Sequence, residues 1–245
     1  MDNDLLWIRK FITTRDNFSE DLDFTALDKN FVLEQKMLQS IAKITEEGTG
    51  VQFSVDQIKL LKFQDELKGF QVYIKYWGAN HSKNQRPLPA NRWYTKIKLE
   101  VSTDEVMLLD TESLAIMHPY SDVLTGEKQS RCYSISEVVS EKLRALKQRS
   151  YTAPRDFYDL FHLTQKFSKK DWEIVIPIFL KKMEHKNLEY KSPEDLIDDS
   201  KIANVKRAWK TSVAHQITEG HQPDGDEIIA AVTQRIKTYL PNFKK

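Results

Sequence analysis

Asp21 and Asp23 stand two residues apart in the run Asn17-Phe18-Ser19-Glu20-Asp21-Leu22-Asp23-Phe24. In an extended segment, residues i and i+2 emerge on one face, so the two carboxylates project together while Leu22 turns toward a core. Like charges this close call for a cation. A hard divalent ion, held by carboxylate oxygens and keeping positions open for phosphate and water, answers that need. Taken alone, Asp-x-Asp is far more often a solvated strand end. Here Phe18, Leu22 and Phe24 anchor the segment at the edge of a core, and Ser19 places a hydroxyl two residues before the first carboxylate.

Three further groups could take part. Along Trp93, Thr95, Ile97, Leu99 and Val101 the alternation marks a strand, so Tyr94, Lys96, Lys98 and Glu100 share its other face. Glu100 either completes a carboxylate trio with Asp21 and Asp23 or serves as a cross-strand partner for a lysine. Lys142 and Arg149 fall within the apolar stripe Ile135, Val138, Val139, Leu143 and Leu146 of an amphipathic helix. A cation so placed either meets a partner or ligand, or lays its stem on apolar surface with its head in water. Glu137, Glu141 and Arg144 are expected on the solvent face of that helix. Asp156 and Asp159 follow Pro154, where an acidic first turn complements a helix dipole, and Arg155 and Asp159 stand at salt-bridge spacing.

The elements that must position these groups fall into two regimes. Asp4 is expected to cap a short helix from Leu5 to Ile12, which turns into the acidic strand. Phe31, Met37, Leu38, Ile41 and Ile44 predict a helix over 29–47, stopped by Gly48 and Gly50. Strands are expected at 51–55, 70–77 and 93–101, with a polar loop at 78–91 containing Pro87 and Pro89. Beyond Tyr120 and Gly126 the chain becomes helical. A capping box of Ser134 and Glu137 opens a helix over 135–149, another opens at Pro154, and more are expected over 171–184, 202–217 and 227–240. Trp172, Phe179, Trp209 and Tyr239 read as core residues of those helices.

At 245 residues, with 40% hydrophobic content, the chain has material for one large domain or two lobes. Its net charge of +1 gives no general pull toward nucleic acid or membrane. From Arg131 onward there are 21 basic and 16 acidic residues, leaving 16 and 20 before it. The acidic half therefore carries the Asp pair. The single cysteine, Cys132, forbids an internal disulfide, in keeping with a reducing cytoplasm, and no apolar run reaches membrane-spanning length. Hydrolase chemistry by Ser-His-Asp or zinc finds no support, because the six histidines lack ligand spacing.

Four blocks taken together, Phe18-Ser19-Glu20-Asp21-Leu22-Asp23-Phe24, Lys98-Leu99-Glu100-Val101, Ser140-Glu141-Lys142-Leu143-Arg144-Ala145-Leu146 to Arg149, and Arg155-Asp156-Phe157-Tyr158-Asp159-Leu160, resemble the AbiEii-type nucleotidyltransferase toxins of type IV toxin-antitoxin and abortive-infection systems. The match in order and spacing covers Leu5 to Leu163. The resemblance implies an α+β fold: a nucleotidyltransferase-like mixed β-sheet lobe over residues 1–130 and a C-terminal helical lobe over 131–245. It implies that Asp21 and Asp23 hold Mg²⁺ against a nucleoside triphosphate, with Glu100 as the third carboxylate. Ser19 would contact phosphate, Lys142 would neutralise the triphosphate, and Asp159 would be a further acidic residue needed for activity, with Asp156 beside it. The acceptor would be RNA such as tRNA, and the partner a cognate antitoxin.

One departure from the family stands out. A Gly-Gly-Thr or Gly-Ser element that cradles phosphates precedes the Asp pair in the family, whereas the first glycine here is Gly48. The expectation is a chain that is N-terminally incomplete, or a degenerate homologue acting as a binding module with weak or absent catalysis. A metal-dependent nuclease would share the carboxylates but give Lys142 no triphosphate to hold.

Overall fold

The computed structural model describes residues 5–7, 21–78, 85–116, 129–149, 154–213 and 224–244. These form two compact units. The described residues of the first are 5–7, 21–78, 85–105, 111–116 and 129–132, and those of the second are 106–110, 133–149, 154–213 and 224–244. The class is mixed α+β, as expected.

The first unit is built on a sheet. Its strands are β1 (Leu5–Trp7), β2 (Asp21–Ala26), β3 (Gln52–Val55), β4 (Lys59–Phe63), β5 (Glu66–Trp77), β6 (Lys96–Ser102), β7 (Glu112–Ala115) and β8 (Gln129–Cys132). The spatial order is β3-β5-β6-β2-β1-β8-β7, with β4 also paired to β5. β2 runs parallel to β6 and β1 parallel to β8, while the remaining pairs are antiparallel. The sheet is therefore mixed.

Helix α1 (Gln35–Thr49) packs on one face. Phe31, Leu33 and Leu38 meet Phe70, Val72, Leu99 and Val101 there, with Leu22 and Phe24 against the same cluster. This fixes the alternation: Leu22, Phe24, Leu99 and Val101 point to the core, and Asp21, Asp23, Lys98 and Glu100 to the opposite face. At the helix end Gly50 adopts φ +71°, and its amide donates to the Glu46 carbonyl.

Several expectations change. Leu5–Trp7 is a strand antiparallel to β2, where a helix over 5–12 was expected, because its backbone groups pair with Phe24–Ala26. Helix α1 begins at Gln35, six residues later than expected. Asp28 Oδ1 accepts from the Asn30 amide at 2.8 Å, and the Phe31 amide donates to the Asp28 carbonyl at 3.1 Å, so a turn replaces the first helical turns. Ile41 and Ile44, whose spacing helped to predict the helix, are exposed. Strand β5 extends four residues further back than expected, making a hairpin with the unforeseen β4 through Gln64 and Asp65, both with φ above zero. Between the strands, Trp93 sits behind a 3-10 turn at Ala90–Arg92, and β6 proper starts at Lys96.

The second unit is helical: α2 (Ile135–Gln148), α3 (Pro154–Leu163), α4 (Lys169–His185), α5 (Glu194–Ile197), α6 (Asp199–Ser212) and α7 (Gly225–Tyr239). Its core holds Val139, Leu143, Phe157, Leu160, Trp172, Phe179, Ile228 and Ile229. Trp172, Phe179 and Trp209 are core groups as read from the sequence, while Tyr239 is half-buried and stacks on Trp172 at 5.0 Å between ring centres. Ser134 Oγ accepts from the Glu137 amide at 3.3 Å, which starts α2 as predicted.

The other half of that capping box is used differently. The Glu137 carboxylate accepts from the amides of Leu108 and Leu109 at 3.4 and 3.1 Å. Glu137 and Arg144 are buried and Glu141 nearly so, against the expected solvent face. The cause is Lys182 of α4, whose ammonium lies 2.7 Å from Glu137, 3.0 Å from Glu141 and 2.7 Å from the Val106 carbonyl oxygen. Burial favours an uncharged Glu141, but Lys182 and Arg144 hold its carboxyl below the ordinary value. A helix packed on two sides has no wholly solvated face.

Candidate active site

Strand register assembles the first group of expected residues. In the β2/β6 ladder Asp21 lies opposite Lys98 and Asp23 opposite Glu100. Partners in adjacent strands face the same way, so Asp21, Asp23, Lys98 and Glu100 form one polar patch away from the core. The same row continues on β5, where Gln71 pairs with Glu100 and Tyr73 with Lys98. Gln71 Nε2 donates to Glu100 Oε2 at 3.3 Å, and the Lys96 ammonium lies 4.2 Å from the centre of the Tyr73 ring.

Lys98 sits among these carboxylates. Its Nζ is 3.2 Å from Asp21 Oδ2 and 3.5 Å from Glu100 Oε2. Burial alone would lower its pKa, but the hydrogen bond to Asp21 and the charges of Asp21, Glu100 and Asp23 outweigh it and hold the ammonium above the ordinary lysine value. Sequence reasoning placed Lys98 on this face but gave it no role. The available signal was its alternation with Glu100.

As a donor set, three carboxylates on two strands in register match the oxygen-only preference of a hard divalent cation. In the side-chain arrangement present, the Lys98 ammonium stands among them. No group of three His, Cys, Asp or Glu side chains able to hold a metal ion is gathered among the described residues. The residues thus fit Mg²⁺ in kind and in backbone register, and gathering them around an ion requires side-chain rotation.

The helical unit assembles the second group. Lys142 of α2 reaches α3, with its Nζ 2.5 Å from Asp159 Oδ2 and 3.4 Å from Asp156 Oδ1. Arg149 pairs with the other oxygen of Asp156. Asp159 therefore joins Lys142 rather than serving only its own helix. Burial would lower the Lys142 pKa, yet the two aspartates offset this and keep it above the ordinary value. His162, one turn after Asp159, is held below its ordinary pKa by burial, which the Asp159 charge only partly opposes. It packs edge-on against Tyr158 at 4.5 Å and Phe161 at 5.2 Å. Ser19 lies outside the described residues.

No helix among the described residues is long and apolar enough to cross a membrane. Comparison with solved structures finds MenT4, a nucleotidyltransferase toxin from Mycobacterium tuberculosis, with a TM-score of 0.51 at 16% identity, covering 98% of this chain and 86% of that one. The likeness is one of fold. No curated protein matches the chain. The family model described as "Nucleotidyl transferase AbiEii toxin, Type IV TA system" matches residues 8–231, a span that contains both groups of residues described above. The chain belongs to the AbiEii nucleotidyltransferase toxin family of type IV toxin-antitoxin systems.

Proposed function

We propose that this chain transfers a nucleotide from a nucleoside triphosphate to an RNA acceptor such as tRNA, in an Mg²⁺-dependent reaction, in the cytoplasm of a cell that also makes its antitoxin. The observation that carries this reading is the register of β2 against β6, which sets Glu100 opposite Asp23 on the face shared with Asp21. In this reading residues 1–130 are the nucleotidyltransferase lobe and 131–245 the helical lobe.

Asp21, Asp23 and Glu100 would hold the ion, which when bound would offset negative charge on the phosphate oxygens. In the transfer the acceptor oxygen bonds to the α-phosphorus as the bond to pyrophosphate breaks. Lys142 offsets triphosphate charge, a role suited to an ammonium that its aspartates keep protonated. Asp159 aims Lys142, and Ser19 hydrogen-bonds phosphate. Asp156, tied to Arg149, steadies the same lysine from its other side.

The test is incubation of the purified protein with each labelled nucleoside triphosphate, Mg²⁺ and total tRNA, beside Asp21→Ala. Label should pass to RNA with the unaltered chain and fall by about 10²–10³-fold with the variant. Equal labelling by both would remove the metal site.

A second reading has its own observation. No glycine precedes Gly48, so the phosphate cradle of the family has no counterpart in the sequence before the Asp pair. A binding module without chemistry would retain triphosphate or RNA in equilibrium binding and yield no labelled RNA under any of the four nucleotides.

A further inference from the structure

Between Glu66 and Glu100 the sequence holds no acidic residue and seven basic ones, although the first 130 residues as a whole carry more acid than base. Strand β6 closes that run. Its first residue, Lys96, opens the polar face on which Lys98 and Glu100 follow. Lys96 stands opposite Lys75 in the β5/β6 register. Lys75 is offset by Asp56, 3.1 Å away, whereas Lys96 has no carboxylate partner among the described residues and meets only the Tyr73 ring, at 4.2 Å from its centre. Like charges set opposite each other repel, so this corner of the sheet favours an anion.

Tyr94 stands two residues before Lys96, an interval that returns extended chain to the same face. It is 93% exposed, more than any other large hydrophobic side chain among the described residues. Arg92, which ends the turn before it, is exposed as well. A bare ring with a guanidinium two residues before it and an ammonium two residues after it suits single-stranded nucleic acid, whose bases stack on the ring while its phosphates meet the cations. An acidic protein segment would match the charge and leave the ring unused. Distance narrows the ligand further. From Tyr94 to Glu100 is about 20 Å of extended chain. A nucleoside triphosphate with its phosphates at the carboxylates is too short to reach Tyr94, but a strand of a few nucleotides spans the interval.

We propose that the β6 face around Tyr94 and Lys96 is a binding track for single-stranded RNA, with the strand laid along β6 so that its reacting end arrives at Glu100. Tyr94 stacks a base, and Arg92 and Lys96 meet phosphates on either side of it. The track deepens the transferase reading, on which its assignment to the acceptor rests.

The experiment is fluorescence anisotropy of the full chain with a short labelled RNA free of secondary structure, across a salt series. The proteins are wild type, Tyr94→Ala, Tyr94→Phe, Lys96→Gln and Lys170→Gln, the last changing an exposed lysine of α4. Tyr94→Ala should weaken binding about tenfold, while Tyr94→Phe and Lys170→Gln should match wild type. Lys96→Gln should lower the slope of log affinity against log salt by about 0.7. In the label-transfer assay Tyr94→Ala should raise KM for RNA about tenfold with kcat held, as loss of stacking affinity alone requires. Equal RNA binding by wild type, Tyr94→Ala and Lys96→Gln would overturn the track. A fluorescent polyglutamate binding wild type more tightly than the RNA would overturn it in favour of an acidic protein. Transfer by wild type with KM unchanged in Tyr94→Ala would also overturn it and leave the transferase reading standing. Tyr94-dependent binding with no transfer by any of these proteins would remove the transferase reading and leave the track as an RNA-binding surface.

Discussion

Lys98 and Lys182 are both ammonium groups set between two carboxylates, one in the sheet unit and one in the helical unit, and they are built to opposite ends. Lys182 has 1% of its side chain exposed and reaches Glu137, itself fully buried, at 2.7 Å, Glu141 at 3.0 Å and the Val106 carbonyl at 2.7 Å. Every contact is short and water is excluded. Lys98 has longer contacts, partners that keep about a third of their exposure, and a neighbouring glutamine that already holds one of them. The first arrangement is a permanent tie between helices. The second is a charge balance that stays open to solvent. The difference shows why composition alone is a poor guide to a site: identical groups are structural or exchangeable according to burial and contact length.

That contrast can be broken most decisively at Lys182. Lys182→Met should lose about 3–5 kcal/mol in urea denaturation, because Glu137 is left as an uncompensated buried charge, and adding Glu137→Gln should return part of the loss. Lys98→Met should lose far less in the same assay, and equal losses would erase the distinction.

Next in size is Asp159→Asn, expected to lower stability by about 1.5–3 kcal/mol by removing the nearest charged partner of Lys142. Its pH signature has a definite sign. The folded pKa of Lys142 lies above its unfolded value, so its contribution is complete below the ordinary lysine value and is lost as pH rises through the raised one. The stability difference between wild type and Asp159→Asn should therefore stay flat through neutral pH and shrink in strong base. Loss of the difference near neutrality would contradict the pairing.

Gly69→Ala tests the sheet side, where register rather than burial places the charged groups. An added Cβ would lie 2.3 Å from the Val101 carbonyl oxygen, a backbone atom that cannot swing aside. The expected cost is about 1–3 kcal/mol, with increased amide exchange along β6 near Glu100. Smallest is Ser134→Ala, at about 1 kcal/mol, since it removes the α2 cap while leaving the Lys182 cluster whole.

Much of the sheet was legible because alternation is a strong signal wherever one face is buried. Spacing put Asp21 and Asp23 on one face of their strand and Glu100 on the polar face of another, and the parallel pairing of β2 with β6 brings the two faces into line. Strands β1, β4, β7 and β8 were not foreseen. They are short, and Leu5–Trp7 owes its form to neighbours distant in sequence rather than to any local pattern. The Ser134 cap of α2 and the opening of α3 at Pro154 held, yet the Glu137 carboxylate served a lysine forty-five positions away instead of its own helix start. No periodicity in α2 announces a cation arriving from α4. For Lys142 the sequence left two readings open, and the partners that decide its environment, Asp156 and Asp159, lie on a different helix.

Val106–Asp110 contributes its backbone to the helical unit although the chain on both sides of it, at Glu105 and Thr111, belongs to the sheet. The amides of Leu108 and Leu109 and the carbonyl of Val106 complete the surroundings of Glu137 and Lys182. A gene cut before Tyr133 would consequently encode a bundle deprived of those three groups, and the excised fragment should be recovered as an insoluble or partly melted product. Co-expression of the upstream piece, or grafting this pentapeptide back through a linker, is the way to obtain the helices in isolation.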